Sequence, residues 1–453
     1  MSLSTLLSVA RSALLTHQKA MGVIAQNVAN ATTPGYSRQR LNLAAATPVW
    51  DGNGYIGRGV DEQGITRARD RFLDGTYRRE SGLLGHSSTL WSMLSQVEGA
   101  VSEPSDVGVA AALDAVFQSF SDLANDPANP TNREIVRTSA QRFVQQIHQL
   151  NDQIVQAQQD AVGRMRMEVE RVNTLATQIA SLNQQILQAG DAGAPDLADQ
   201  RDLLIDEAST MIGIRVLERP DGTIGVAAGG LLLVDGPSVQ RLAVRDVPGG
   251  GYGIGPESGS GLIDPVSGSL NALSELTTTN LPEYQRKLDE FTEAVVTEFN
   301  ALHSTGYNLN GETGINFFDP TGTNARSIAL SAEVEASGDA IAAGGTPAPG
   351  DNTVALQIAA LATTGVASLG GKTLRDAYVD FAAAVGTDAS NASQDQSIHD
   401  TLLANAETMR SSVSGVSIDE EMTLLIGQQQ AYTAAARLIT AADEMMQELL
   451  RVV

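Results

Sequence analysis

The sequence predicts a mainly α protein with a small β part: a coiled-coil or bundle rod of long helices, paired terminal helices and a small antiparallel β module. Three observations carry that expectation. Apolar residues recur at alternating spacings of four and three near both ends of the chain and through its middle, which is the seam of a coiled coil. Thr131 to about Gln188 contains no proline and only one glycine, Gly163. Between Ile214 and Val247 the helical period gives way to alternating β-branched residues punctuated by Asp221-Gly222 and Asp235-Gly236, the pattern of short hairpins.

Composition narrows the function classes. A chain of 453 residues has length for about two to four domains and an ample core. A net charge of −24 argues against nucleic acid as a partner. Aromatics make up 4% of the chain, which suits a helical rod better than a ligand-lined globule. The absence of cysteine fits a reducing cytosol, chance, or an exported protein that avoids oxidation. No run of about 18 apolar residues exists, so membrane insertion is not expected. The first apolar residues are periodic rather than contiguous and are interrupted by Arg11 and Lys19, unlike a signal peptide. Those signs alone read as cytosolic.

Taken in order, Leu3, Leu7, Ala10, Leu14, His17, Met21, Ile24 and Val28 keep a heptad seam for about four heptads. Thr33-Pro34-Gly35-Tyr36 then stops the helix, because proline presets φ for the second turn position and glycine supplies the positive φ of a type II turn. Asn27 and Asn30 stand at the helix end, where short amides satisfy free carbonyls. Leu41 to Gly64 reads as an extended hairpin turning at Gly52-Asn53-Gly54 and Gly57. Arg58, Arg67, Arg69, Arg71, Arg78 and Arg79 interleave with Asp61, Glu62, Asp70 and Asp74, as on a solvated, ion-paired face. A helix is expected from about Thr66 to Glu98, broken near Gly82 and Gly85, and another after Ser105. In the long 131–188 helix, Ile147, Leu150, Ile154, Ala157 and Ala161 hold register. The seam shifts at Met165 and Val169 and resumes at Val172, Leu175, Ile179, Leu182 and Ile186, a stutter that relaxes supercoiling. Such a helix spans roughly 85 Å at 1.5 Å per residue.

Asp196, Asp199, Asp202 and Asp206 share one face of the next helix. A divalent cation is conceivable there, but without a histidine the better reading is a capping Asp196 followed by a solvated acidic face. The glycine-rich run 248–261 after the β module is expected to be a flexible loop. Its Gly253-x-Gly255 is no phosphate cradle, since no strand–loop–helix with a lysine follows. Tyr284, Leu288, Phe291, Val295, Phe299 and Leu302 stripe a helix over about 270–303 that should pack antiparallel on the long one. The run from Asn308 resembles a calcium loop but has Thr313 where that loop needs glycine, so it reads as a turn anchored by Phe317 and Phe318. Residues 335–352 read as a surface loop, and helices follow at Leu356–Leu361, Leu374–Val385 and Ser397–Arg410.

The last helix opens with Ser417 and Glu420 as a capping box. Its seam is Met422, Leu425, Gln429, Tyr432, Ala436, Ile439, Met446 and Leu450, broken at Asp443. Residues 1–50 hold no acid, whereas residues 415–453 are mostly acidic in charge, so the two terminal stripes are expected to pair. The five histidines are scattered singly, with His17 an interfacial polar residue. With no cysteine and no GxSxG, no catalytic constellation stands out, no metal or cofactor is called for, and no enzyme activity is expected.

An N-terminal helix ending in NVANATTPGYSRQ and a C-terminal SVSGVSIDEE…LIGQQQAYTAAARLI resemble the axial proteins of the bacterial flagellum. Ser37-Arg38-Gln39 is most similar to the hook-associated protein 1 family, the first of two hook–filament junction proteins. The resemblance reappears at Pro195–Glu207, Gly306–Phe318 and Pro349–Ala360. It implies a nested chain: residues 1–50 and 405–453 as the two halves of a terminal coiled coil, 51–212 and 271–404 as a helical rod, and 213–270 as the β module. It further implies a homo-oligomeric ring between hook protein and a second junction protein, hook-associated protein 3. Export would run through the flagellar secretion apparatus with a cytosolic chaperone and no cleaved signal peptide, placing the protein outside the cell. The residues expected to carry assembly are Leu3, Leu7, Leu14, Met21, Ile24, Asn27, Val28, Asn30, Pro34, Gly35, Tyr36, Met422, Leu425, Gln429, Tyr432, Ala436, Ile439 and Leu450. The alternatives are a rod or hook axial protein, or a wall-acting enzyme carrying axial motifs.

Overall fold

Residues 3–50, 54–101, 108–190, 194–248 and 250–452 are described by a computed structural model. The expected turn at Gly52-Asn53 and helix start at Ser105 lie outside them. Helix α1 (Leu3–Ala29) leads into a two-stranded ribbon, β1 (Gln39–Ala45) against β4 (Val60–Arg67). At the ribbon's tip β2 (Val49–Trp50) pairs with β3 (Tyr55–Ile56). Helices α2 (Arg71–Val101), α3 (Val109–Asn125), α4 (Pro130–Ala189) and α5 (Pro195–Met211) follow.

Helix α4 is 60 residues long, about 90 Å at 1.5 Å per residue. The Asn129 side chain caps it by accepting from Thr131 N, with Pro130 in the first turn where its missing N–H costs nothing. Ile147, Leu150, Ile154, Ala157, Ala161, Met165, Val169, Val172, Leu175, Ile179 and Ile186 are all buried, through the stutter included. Leu182 is only half-buried, because its neighbour Asn183 takes the inner position.

The β module comprises β5 (Ile214–Glu218), β6 (Ile224–Ala228), β7 (Leu231–Asp235) and β8 (Ser238–Val239), an antiparallel meander. A separate hairpin pairs β9 (Leu242–Asp246) with β10 (Tyr252–Pro256). Gly222 (φ +79) and Gly236 (φ +58) make the expected turns. Two buried asparagines of α4 fasten this module. Asn183 Nδ2 donates to the carbonyls of Ile224 (3.0 Å) and Gly236 (2.8 Å), and Asn173 exchanges two bonds with the Leu242 backbone. Strand β10 corrects the expected flexible loop: Gly253 and Gly255 are ladder residues, and a Cβ at Gly255 would meet Gly261 O at 2.2 Å.

The chain returns through α6 (Ser269–Glu275), a π turn at Leu276–Asn280, and α7 (Leu281–His303). The π turn sits just before Pro282, which cannot donate to the helical ladder. Phe143 against Phe291 (6.4 Å) and Gln285 against Asn151 (3.0 Å) set α7 antiparallel to α4, as expected. Eight of the nine phenylalanines form one linked cluster at this end: 117, 120, 143, 291, 299, 317, 318 and 381. The phenylalanines are thus concentrated in one core, joined there by Tyr284 and Tyr378.

Helices α8 (Ala332–Ala336), α9 (Thr353–Ala360), α10 (Leu374–Ser414) and α11 (Ile418–Val452) complete the chain. Three sequence expectations are corrected here. Helix α2 starts at Arg71 and runs unbroken through Gly82 and Gly85, which serve close packing instead: a Cβ at Gly85 would lie 2.1 Å from Thr210 O. Within 335–352, residues 340–344 are buried and Ala343 is bonded to Tyr307 and Val354, so the exposed parts are 335–337 and 345–350. The two helices expected at 374–385 and 397–410 are one, running across residues 404 and 405 until Gly415.

Candidate assembly interface

Helices α1 and α11 pack antiparallel. Asn27 meets Glu421 at 2.9 Å near the rod, and further along His17 Nδ1 meets Gln428 Oε1 at 2.7 Å. On α1 the buried positions are Ala10, Thr16, Ala20, Val23, Ile24 and Asn27, while Leu3, Leu7, Leu14, Met21 and Val28 are half-buried. On α11, Glu421, Ala435 and Ala442 are buried, and Leu425, Gln428, Tyr432 and Ile439 half-buried. The α11 seam is therefore 421-425-428-432-435-439-442. It shares Leu425, Tyr432 and Ile439 with the expected stripe and ends at Ala442, just before Asp443. Small residues at the centre let the axes approach, and bulkier ones fall to the flanks. Met422, Gln429 and Leu450 (73% exposed) lie outside the pair, and Ala436 is half-buried.

The Thr33–Tyr36 turn closes with Tyr36 N donating to Thr33 O (3.2 Å), and Gly35 takes φ +78 against Leu203. Asn30 Nδ2 donates to Gln26 O (3.0 Å); Pro34 and Gly35 are exposed and Tyr36 half-buried. Asn27 organises this corner. Its Oδ1 accepts from Tyr36 Oη (2.8 Å) and Gln39 N (2.9 Å), and its Nδ2 donates to Gln39 O (2.9 Å) and Glu421 Oε2 (2.9 Å). Burial, then Asp196, Asp199 and Glu421, pushes the Tyr36 phenol up to about 12. Arg38 Nε reaches Glu421 (2.7 Å), Nη1 reaches Glu420 (2.9 Å), and its backbone N–H donates to Ser414 O (2.9 Å). Charge complementarity between the termini thus runs through Arg38, beyond the end of α1; Lys19 of α1 pairs with Glu62 of β4 instead. The capping box is half-formed, because Glu420 turns to Arg38 while Ser417 Oγ accepts from Glu420 N at 3.5 Å.

The acidic face of α5 is the main feature misread from sequence. Ala194 occupies the N-cap position, and only Asp196 of this face is exposed; Asp199 and Asp202 are buried and Asp206 half-buried. Asp196 accepts from Gln39 Nε2 (2.6 Å) and Gln26 Nε2 (3.1 Å). Asp199 accepts from Ser37 N and Oγ (3.0 and 2.7 Å) and from Arg67 (2.9 Å). Asp202 accepts from Arg67, Arg69 and Arg78 at 2.6, 2.9 and 3.3 Å. Asp206 bridges Arg78 (2.6 Å) and Arg410 (2.5 Å), whose guanidinium lies 3.6 Å from the Tyr77 ring centroid. Burial by itself raises the Asp202 pKa, but Arg69, Arg67 and Arg78 outweigh it and hold the group below its ordinary value. Arginines from the supposed solvated face are therefore half of a buried clasp joining the turn, the ribbon, α2, α5 and α10. The equal supply of Arg and Asp was visible in sequence; their pairing across 124 to 204 positions was not.

After the pairing with α1, α11 leaves Met422, Leu424, Ile426, Leu438, Met445 and Leu450 exposed. Between β1 and α11 runs an open groove of about 730 Å³, floored by Ala20, Val23 and Ile24 and walled by Leu41, Leu43 and Leu424. Among the described residues no helix is long and apolar enough to cross a membrane.

Comparison with known families assigns this terminal architecture. Residues 7–36 match the profile of flagella basal body rod proteins, and residues 410–452 that of the flagellar basal body rod FlgEFG protein C-terminal region. The paired termini are those of a structural axial protein of the bacterial flagellum. Residues 94–318 match the flagellar hook-associated protein FlgK helical domain. Flagellar hook-associated protein 1 of Bacillus subtilis is 30% identical, over 98% of this chain and 97% of that protein. The chain belongs to the flagellar hook-associated protein 1 family. The Salmonella typhimurium relative is 28% identical over 70% of this chain and 59% of its own length. The solved hook junction protein FlgK from Burkholderia pseudomallei shares the fold (TM-score 0.64, 17% identity), covering 76% of this chain and all of that one.

Proposed function

We propose that this chain is the structural subunit that joins flagellar hook to filament, polymerising through its α1–α11 pair into a ring. Family membership supports the junction role. The single observation behind the polymerising surface is that Met422, Leu424, Ile426, Leu438, Met445 and Leu450 of α11 stay exposed after α1 is in place. Apolar side chains left in water on a helix that is already paired on one side are available to a partner. In this reading residues 1–50 and 405–453 act as one terminal unit, the rod spans 51–212 and 271–404, and 213–270 is an appendage of it. The neighbours are hook protein, further copies of the chain and hook-associated protein 3. Delivery uses an export chaperone and the flagellar secretion apparatus, without a cleaved signal peptide. No catalytic step belongs to this role.

Purified protein mixed with isolated hooks tests the reading by electron microscopy of the distal hook ends. A short collar is expected with full-length protein and none with Leu438→Glu, which alters only an exposed position and should leave thermal stability unchanged. Collars of equal frequency with that variant would move the assembly surface elsewhere. No collar with full-length protein would favour the rod or hook axial reading.

A further inference from the structure

Helix α11 carries a second heptad seam, one residue behind the seam that meets α1. Leu424, Ala431, Leu438 and Met445 recur every seven residues, and Gly427, Ala434 and Ala441 fall between them, in the alternating spacing of a coiled coil. A shift of one residue turns this second seam about 100° away from α1. It is left open: Leu424, Leu438 and Met445 are 46%, 48% and 47% exposed, and a Cβ at Gly427 would meet nothing within 4 Å. Leu424 also walls the β1–α11 groove, so the seam lies on the ribbon side of the helix pair.

Helix α1 has a free stripe on the other side. Leu7, Leu14, Met21 and Val28 recur every seven residues and are half-buried, with Gln18 and Ala25 exposed between them. His17 faces α11 through Gln428, and the stripe lies about 20–80° further round the helix. Ser12 and Lys19, which meet the ribbon, lie about 140–160° round the opposite way. The α1–α11 pair therefore presents two unlike apolar faces, one on each side.

We infer that the outer stripe of α1 in one copy packs along the second seam of α11 in the next. This rests on the homo-oligomeric reading above and names the helices in contact. Run antiparallel, as the two helices do within one chain, the heptads match in layers. Leu14 meets Met445 and Met21 meets Leu438, with the slimmer layers Gln18–Ala441 and Ala25–Ala434 letting the axes approach. Because the two faces differ, each copy gives one to each neighbour, a heterologous contact that builds rings and helical arrays.

Charge selects the occupant and the register. Helix α1 carries Arg11 and Lys19 and no acid, whereas α11 carries six acids against Arg437 and Arg451, so a second α11 in this seam would be repelled. Lys19 is turned to its own ribbon, where it pairs with Glu62. In the register given, Arg11 lies level with Glu448, which Arg451 matches, and beside Glu444. Arg11 and Glu444 are both exposed, and neither forms an ion pair among the described residues. Arg437 then stays about 16 Å along the seam from Arg11, whereas sliding by one heptad would bring the two close together. Arg40, also exposed, stands on the β1 wall at the far, groove end.

The chain has no cysteine, so single thiols report contacts cleanly. Gln18→Cys and Ala441→Cys variants are mixed, assembled on isolated hooks and oxidised, with Ala25→Cys and Ala434→Cys as a second pair. All four positions are exposed in the single chain. A cross-linked dimer is expected from each mixture and from none of the four variants alone. Ala434→Trp should cut collar formation at least tenfold while leaving the melting temperature of the unassembled chain unchanged. If wild-type collars form but neither mixture gives a dimer, the docking is overturned while the junction role stands. A dimer from Ala441→Cys alone overturns it equally, as do collars at wild-type frequency with Ala434→Trp. If wild-type protein never assembles, the homo-oligomeric reading falls first and the docking with it.

Discussion

Asn27 and Glu421, 394 positions apart in the chain, share a 2.9 Å hydrogen bond at the corner where α1 ends and α11 begins. Glu421 is 1% exposed and also receives Arg38, so a buried carboxylate is the point at which both termini are tied. Burying a charge is tolerated only when it is paired and fully hydrogen-bonded, and Asn27 and Arg38 meet that condition together.

Asn27→Ala should therefore strip a donor from Glu421 and an acceptor from both Tyr36 and Gln39. Unsatisfied buried groups cost about 1–3 kcal/mol each. The expected result is rapid amide exchange over α1 and the α11 N-terminus, with the phenylalanine core around Phe299 unchanged. Uniform exchange across the whole chain would show that the corner is not a separable unit.

Asp202→Asn should lower the stability of the clasp by about 3–5 kcal/mol, the usual cost of removing one partner from a buried ion pair. The pH dependence carries a sign. The Asp202 pKa is depressed in the folded protein, so its contribution is complete above the ordinary aspartate value near ~3.9 and is lost as pH falls through the folded value. Chemical denaturation between pH 5 and pH 2.5 should show a flatter acid slope in the variant than in wild type.

His303 is fully buried, donates Nδ1–H to Ile315 O (2.8 Å) and accepts Ala342 N–H at Nε2 (2.8 Å), which fixes a neutral ring. Burial pushes its pKa down to about 4. The unfolded chain takes up this proton below ~6.5, so stability should fall from neutral pH to pH 5 by about 2 kcal/mol. His303→Gln, which keeps an acceptor but does not titrate, should remove that part of the pH dependence. An unchanged slope would assign it to other groups.

Gly85→Ala tests the close approach of α2 to the end of α5. In an exposed helix the change stabilises by about 0.5–1 kcal/mol. Here the new methyl would meet Thr210 O at 2.1 Å, so a loss of about 1–3 kcal/mol is expected from overpacking. A raised melting temperature would mean that the two helices separate at little cost.

Much of the fold was legible because its signals are local. The period of α4, its stutter, the turn at Gly35 and the paired turns of the β module each depend on residues within a few positions of one another. Gly82 and Gly85 were misread as breaks because a helix glycine looks the same whether it weakens a helix or admits a neighbour. The α11 stripe was set about one position off, since the sequence favours the bulkiest residues while a close pair of helices centres on alanine.

By itself, then, the sequence determined the element types, the helical rod, the β unit and the terminal motifs shared with flagellar axial proteins. Only the tertiary structure decided which carboxylates are buried, which arginines they meet, and where the ribbon tip and groove lie. The reason is physical: periodicity and turn chemistry are written into neighbouring residues, whereas an ion pair such as Arg410–Asp206, 204 positions apart, exists only once the path of the chain has brought its two ends together.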